Sequence, residues 1–376
     1  LRPARVAAPP RLPPSTALLA VALLSAFMAA PAGAEDHVTV RGAYYREAST
    51  RVVQPVVEIS KDLPHGFDVT ATYLLDAITS ASVAAGTTTD SIFTELRNEV
   101  GLAVGKSFDR TRLTLSYRYS AESDYWSHGV AGSFAWRFWG DSATLAAQGG
   151  TSFDSAWART RTADCPTASQ LACKLNVYFG GLSYTQVLSP TLITQVSYER
   201  SYLDGFQSSL YRALPNLGYE KVPSWRVRQA ITPRIAFYVP RTQTGLQLHY
   251  RYYHDSWDVS AHMLEGRVYQ QLSRDLEVRL SYRHYFQTPA NFWCDWMARP
   301  DCYAPTATVY TADPKLQQVH TEMPEIQLSW QAAALRGVPF LGWFSTATFQ
   351  ISYARLFQNT TFGDAHLLQL GYTMPY

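Results

Sequence analysis

From Leu113 the chain reads LTLSYRYS, from Leu246 LQLHYRYY, from Val278 VRLSYRHYF and from Phe349 FQISYARLF. Each stretch alternates apolar and polar positions, reaches a Tyr, and meets an Arg within two residues. Strict alternation is the signature of a strand, because successive side chains leave opposite faces of a sheet. Leu113, Leu115, Tyr117 and Tyr119 then share one face, and Thr114, Ser116, Arg118 and Ser120 share the other. The same split recurs for Leu246, Leu248, Tyr250 and Tyr252 against Gln247, His249, Arg251 and Tyr253. Unpaired Arg and Glu facing a dry core would each cost several kcal/mol. Facing a wet lumen they cost little, with the apolar face toward lipid and Tyr at the headgroup boundary.

The connections between alternating segments sort by length. Short ones include Lys61 to Gly66, Gly140 to Ser142, Ser189 to Thr191, Pro240 to Gln243 and Ser273 to Asp275. Between them lie Thr79 to Leu96, Asp154 to Cys173, Leu203 to Ser224 and Thr288 to Val319. Outer-membrane barrels have tight periplasmic turns and long outside loops, whereas a soluble sandwich has no reason to segregate loop length. On that assignment the segments from Phe67, Arg112, Ala143, Leu192, Thr244, Leu276 and Phe344 run outward. Those from Val52, Arg97, Ser127, Lys174, Trp225, Ala261, His320 and Ala365 run back, and HVTVRGAYYRE supplies a first outward strand. The reading is an all-β transmembrane antiparallel barrel of about sixteen strands, with fourteen as the alternative. Leu335 to Gly342 is long for a periplasmic turn. The chain is too short for a TonB-dependent receptor, which needs about 22 strands and a plug.

Residues 1–34 read as a cleaved signal peptide preceding a barrel over 35–376. Arg2, Arg5 and Arg11 give a basic leader, Thr16 to Ala30 an apolar core too short to span, and Ala32-Gly33-Ala34 a small-x-small cleavage site. Without those three Arg, the 32 basic and 30 acidic residues become 29 and 30, a balance of −1. The basic leader therefore says nothing of nucleic acid, and none is expected as a partner. Charged residues are 16% and aromatics 14%, with 24 Tyr and 10 Trp, against a mean hydropathy of only −0.16. That mixture is too polar for a helical bundle and suits a wall between lipid and water. The final HLLQLGYTMPY alternates and ends on an aromatic, similar to the signal read by the barrel-assembly machinery of Gram-negative bacteria, with Pro375 as a departure. Outer-membrane lipid and that machinery are the expected partners.

YYREASTRVVQPVVEISKDL from Tyr44 and YLLDAITSAS from Tyr73 resemble the start of the family named domain of unknown function 3570. The resemblance implies an outer-membrane barrel of a Gram-negative bacterium, and an envelope setting linked to redox chemistry and other envelope proteins. It implies no activity and no functional residues.

Candidate chemistry is sparse. Cys165 and Cys173, and Cys294 and Cys302, are equally spaced within two long loops. In an exported chain they read as two disulfide clasps. Their spacing is too wide for a C-x₂-C metal site, and no haem, phosphate-loop or dinucleotide motif occurs, so no metal or cofactor is expected. The second clasp encloses NFWCDWMARPDCY, read either as a packed loop or as a docking surface or plug. His254, Asp255 and Asp258, and Glu122, Asp124 and His128, are rim residues that could activate water, and Ser127 or Ser256 could serve as nucleophile. Polar rims are general in barrels, and no catalytic residue is assigned. On the lumen face, Arg226, Arg228 and Arg234 share a strand without an intervening acid and form a candidate basic strip. The other reading is a ladder of Arg–carboxylate pairs that stiffens the lumen. A channel for small solutes or ions, a structural barrel with an occluded lumen, and a rim hydrolase are the functions carried forward, in that order.

Overall fold

The computed structural model describes residues 36–81, 92–156, 173–209, 212–214, 217–296, 298–299, 301–304 and 306–376. The expected signal peptide and Cys165 lie outside these residues. Sixteen strands close into one antiparallel barrel. They are β1 (His37–Arg46), β2 (Thr50–Leu63), β3 (Phe67–Ala81), β4 (Ile92–Phe108), β5 (Thr111–Ala121), β6 (Tyr125–Phe138), β7 (Ala143–Ala156), β8 (Cys173–Ser189) and β9 (Leu192–Gly205). After the short pair β10 (Ala213–Leu214) and β11 (Gly218–Tyr219), which forms its own small sheet, come β12 (Trp225–Val239), β13 (Thr244–Asp255), β14 (Ser260–Gln271), β15 (Leu276–Gln287), β16 (Val319–Gln331), β17 (Thr348–Gln358) and β18 (Ala365–Pro375).

Each barrel strand pairs with its sequence neighbour, β9 pairs directly with β12, and β1 returns to β18. The seam runs from His37 opposite Pro375 to Arg46 opposite His366. At its short-turn end the Tyr376 N–H donates to the Asp36 carbonyl at 3.0 Å. The buried Asp36 carboxylate accepts from Lys61 Nζ at 2.8 Å and from the Asp62 N–H at 2.7 Å.

Parity along each strand decides the faces. Leu115, Val100, Leu102, Leu182, Leu248, Leu280, Ile351 and Leu370 stand exposed on the outer wall. A continuous apolar band of this kind is foreign to a soluble monomer and is the surface of a membrane-spanning barrel. Toward the short turns, Trp330, Phe349, Tyr372 and Phe344 stack in sequence at ring distances of 5.8, 5.2 and 5.9 Å.

Toward the long loops stands a second aromatic row, built by the motif that opened the sequence. The Tyr117 hydroxyl meets His128 Nδ1 at 2.6 Å, Tyr250 meets His262 Nδ1 at 2.7 Å, and Tyr353 meets His366 Nδ1 at 2.7 Å. Tyr282 donates to Glu322 at 2.5 Å, Tyr73 to Asn98 at 2.8 Å and Tyr198 to Gln229 at 3.2 Å. Each Tyr sits on the first strand of a hairpin, and its partner lies diagonally on the second.

Pro55, Pro233 and Pro324 stand within β2, β12 and β16, where sheets ordinarily exclude proline. At each, pairing lapses over two residues on one side and continues on the other. Two strand starts differ from expectation: the strand placed from Arg97 already starts at Ile92, and the strand placed from Phe344 starts at Thr348, after 3₁₀ turns at Ala332–Gly337 and Gly342–Thr346. The stretch VPFLGWF has no alternation to hold a strand. Its rings, with Phe344 at 3.8 Å from Trp343, sit on the rim instead.

Replacing Asp36 with Ala leaves the Asp62 N–H without its acceptor at the closing seam, a loss of about 1–3 kcal/mol. The expected result is a lower temperature for loss of the fast-migrating folded band on unheated detergent gels. An unchanged transition would show that backbone pairing alone holds the seam.

Candidate functional site

The lumen face carries the charges. Arg112 pairs with Asp68 at 2.8 Å, Arg118 with Glu99 at 3.5 Å, Arg251 with Glu199 at 2.9 Å and Arg279 with Glu325 at 2.8 Å. Arg97 pairs with Asp76, and the buried Glu265 serves both Arg267 at 2.9 Å and Arg283 at 3.5 Å. Apart from Arg267 and Glu265, two residues apart on β14, these pairs join strands one or two apart and run round the wall rather than across the lumen. Arg112 and Asp68 meet over Gly105 of the intervening β4, where a Cβ would collide with both side chains.

The long-loop end is built around Asp255, which is 0% exposed. Its carboxylate accepts from Arg226 Nε at 2.8 Å, the Tyr253 hydroxyl at 2.5 Å, and the N–H groups of Trp257 at 2.9 Å and Val259 at 3.2 Å. The Arg226 guanidinium lies 4.0 Å over the Trp257 ring. Trp257, Val259 and Ala290 form a small buried core with Phe292, Trp293 and Val222 packed on it. Two connections meet there, 206–224 and 288–318. Lys221 and Tyr310 exchange backbone hydrogen bonds at 3.1 and 2.8 Å. Arg212 pairs with Glu220 at 3.1 Å and with Asp313 at 2.8 Å, and Thr311 donates to Glu220 at 2.7 Å. The Cys294–Cys302 disulfide staples the second connection. Cys173 opens β8, buried and disulfide-bonded.

Beneath these connections lies a cavity of about 560 Å³, lined among others by Arg226, Arg228, Arg251, Tyr253, Tyr285 and Lys315. Arg226 is neutralised by Asp255 and Arg251 by Glu199. Arg228 is in no ion pair among the described residues, and its buried Nε has no hydrogen-bond partner. Arg234 donates only to the Gln195 amide oxygen, at 3.4 Å. The three arginines of the candidate strip thus meet different surroundings: Arg226 is held by an acid, Arg228 and Arg234 are not, and of these two Arg228 lines the cavity.

The rim residues do not converge. His254 and Asp255 point to opposite faces of β13. His254 Nδ1 meets Ser260 Oγ at 3.0 Å, while Asp255 faces inward. Asp258 accepts from Asn291 Nδ2 at 2.7 Å. Ser127 donates inward to Asp154 at 2.6 Å while His128 faces out to Tyr117. Ser256 Oγ accepts the Val227 N–H at 3.0 Å. Glu122 sits in the connection after β5, where burial raises its carboxyl above the ordinary range against the pull of Arg97. A trio that sequence reading missed is His284, His320 and Glu322 on the outer wall. Their donor atoms lie within 4.8 Å of one another, the chemistry of a three-ligand metal site. Only strand register brings them together.

Replacing Asp255 with Ala leaves Arg226 buried without its acid, a loss of about 3–5 kcal/mol. The expected result is proteolytic nicking within 288–318 at protease levels that spare the wild type, with the folded barrel band retained. Equal resistance would show that Asp255 does not hold these connections.

Among solved structures the chain is similar to a bacterial polysaccharide outer membrane secretin, at 8% identity and a TM-score of 0.51, covering 91% of this chain and 98% of that one. It is also similar to OccK2 of Pseudomonas aeruginosa in complex with glucuronate, at 9% identity and a TM-score of 0.46 over 90% and 97% of the two chains. A BenF-like porin from Pseudomonas fluorescens Pf-5 aligns at 9% identity and a TM-score of 0.47 over 91% and 98%. At such identities the likeness is one of fold. No curated protein matches the chain. A family model described as "Protein of unknown function (DUF3570)" matches residues 82–338, downstream of the stretch whose wording first resembled it. The chain belongs to that family.

Proposed function

We propose that the protein is a channel for small solutes or ions in the outer membrane of a Gram-negative bacterium. The observation that carries this reading is the cavity beside Arg228, a lumen-facing guanidinium without an acid partner in a wall where most arginines are paired. A partly desolvated site with cations that no acid offsets draws anions and disfavours cations. The paired charges around it limit the anion preference to a modest one. The long loops then face the outside, and the apolar band with its two aromatic rows supports membrane insertion. The outer-membrane secretin named above shares the fold and agrees with this location. Residues 1–34 act as the export signal, the last strand is read by the barrel-assembly machinery, and lipid is the standing partner.

A second reading is favoured by the stapled connections 206–224 and 288–318, which fold over one mouth. It makes the barrel a support for envelope proteins, with an occluded lumen. The divergence of His254 from Asp255, and of His128 from Ser127, weighs against a rim hydrolase.

Conductance of the folded protein in a planar bilayer tests the channel. Discrete open steps are expected, with a reversal potential in a salt gradient displaced toward anions. Arg228→Gln should move that potential toward cations. A folded barrel that stays silent, and whose Arg228→Cys variant resists a bulky polar thiol reagent, would overturn the channel in favour of the occluded barrel.

A further inference from the structure

A row of basic side chains on the outer wall, three arginines and a histidine, plays no part in the lumen. The register places Arg46 of β1 opposite Arg51 of β2. It places Arg46 opposite His366 of β18 as well, and His366 opposite Arg355 of β17. Four neighbouring strands therefore carry Arg51, Arg46, His366 and Arg355 side by side. All four face outward, by parity with the exposed Val53, Val40, Leu368 and Tyr353 of the same strands. Adjacent strands stand about 4.8 Å apart, and like charges directly opposed on them are destabilising.

The protein's own acids cover only one end of the row. Asp364 pairs with Arg355 at 3.2 Å. Glu47, on the β1–β2 turn, already accepts from the Tyr45 hydroxyl at 2.5 Å and from Ser49 Oγ at 3.3 Å. Arg46 and Arg51 have neither an ion pair nor a side-chain hydrogen bond among the described residues. Between them opens a cavity of about 730 Å³ that also meets Tyr44, Thr79, Asp364 and His366.

Two residues further toward the barrel's middle, Tyr44 stands opposite both Val53 and Leu368, the upper margin of the apolar band. The row thus occupies the level where headgroups meet acyl chains. We propose that Arg46, Arg51 and His366, with Arg355 beside them, bind a phosphate group of a membrane lipid in the leaflet at the long-loop end. A guanidinium pair suits phosphate through parallel N–H···O bonds. A phosphate carried on acyl chains is delivered to this height by the apolar band below, which a free phosphate is not. The site rests on the barrel spanning a membrane and not on its being a channel.

The test compares wild type with Arg46→Gln/Arg51→Gln in phosphatidylcholine bilayers doped with phosphatidic acid, reading lipids retained on the protein by native mass spectrometry. Wild type is expected to retain phosphatidic acid over phosphatidylcholine by about tenfold or more, since each basic residue near a membrane surface contributes about a fivefold preference for anionic lipid. The double variant is expected to lose that preference. Arg241→Gln/Arg274→Gln, the same charge change at the short-turn end, should keep it, and so should Arg46→Lys/Arg51→Lys in part. Equal retention by wild type and the double variant, both showing the folded band, would overturn the lipid site alone. Displacement of phosphatidic acid by millimolar inorganic phosphate would overturn the assignment to lipid and leave a free-anion site. A wild type with no folded band would overturn the barrel, and this site with it.

Discussion

A backbone N–H or C=O facing hydrocarbon has no water to bond, so every one must find its partner inside the protein. The sheet meets this by returning β1 to β18, which leaves no edge. The rest of the molecule follows from that closure. Once the ladder is complete, each side chain is assigned to lipid or lumen by parity alone, and irregular backbone is confined to the two rims. The three prolines show how narrow the tolerance is. Each withholds one donor, and the wall gives up pairing on one side for two residues before the register resumes.

The lumen follows a different rule. Water inside the wall permits charges, but neighbouring arginines on a curved sheet crowd one another, and the acids are interleaved to separate them. Because nearly all of the pairs link strands one or two apart, they reinforce the ladder, and among the described residues of the strands none crosses the lumen. Asp255 is the point where wall and loops become one structure. A single carboxylate holds β12 through Arg226, β13 through Tyr253, and the start of the next connection through two backbone N–H groups.

Alternation and turn spacing made the strand count and most strand starts readable in the linear chain, because both depend only on positions close in sequence. The start of β17 was misplaced for the same reason. The aromatic residues after Val338 carry no period, and their stacking on Tyr372 is a contact between distant positions. His254 and Asp255 looked like partners because they are adjacent, yet adjacency in a strand puts them on opposite faces. The partners of the repeated Tyr, the trio around Glu322 and the row from Arg51 to Arg355 exist only in register, which no single strand states. Arg228 was visible as a lumen residue, but its want of an acid could be seen only once Asp255 had been taken by Arg226.

The six Tyr diagonals share a property with a bearing on biogenesis. Every one joins two strands linked directly through the loop end, and none crosses from one hairpin to the next. Six of the eight loop-end hairpins therefore carry an interfacial anchor of their own, which needs no neighbouring hairpin to complete it. A nascent barrel growing one hairpin at a time would set the depth of each new pair in the bilayer independently. Closure of the seam then joins strands that already stand at the same height.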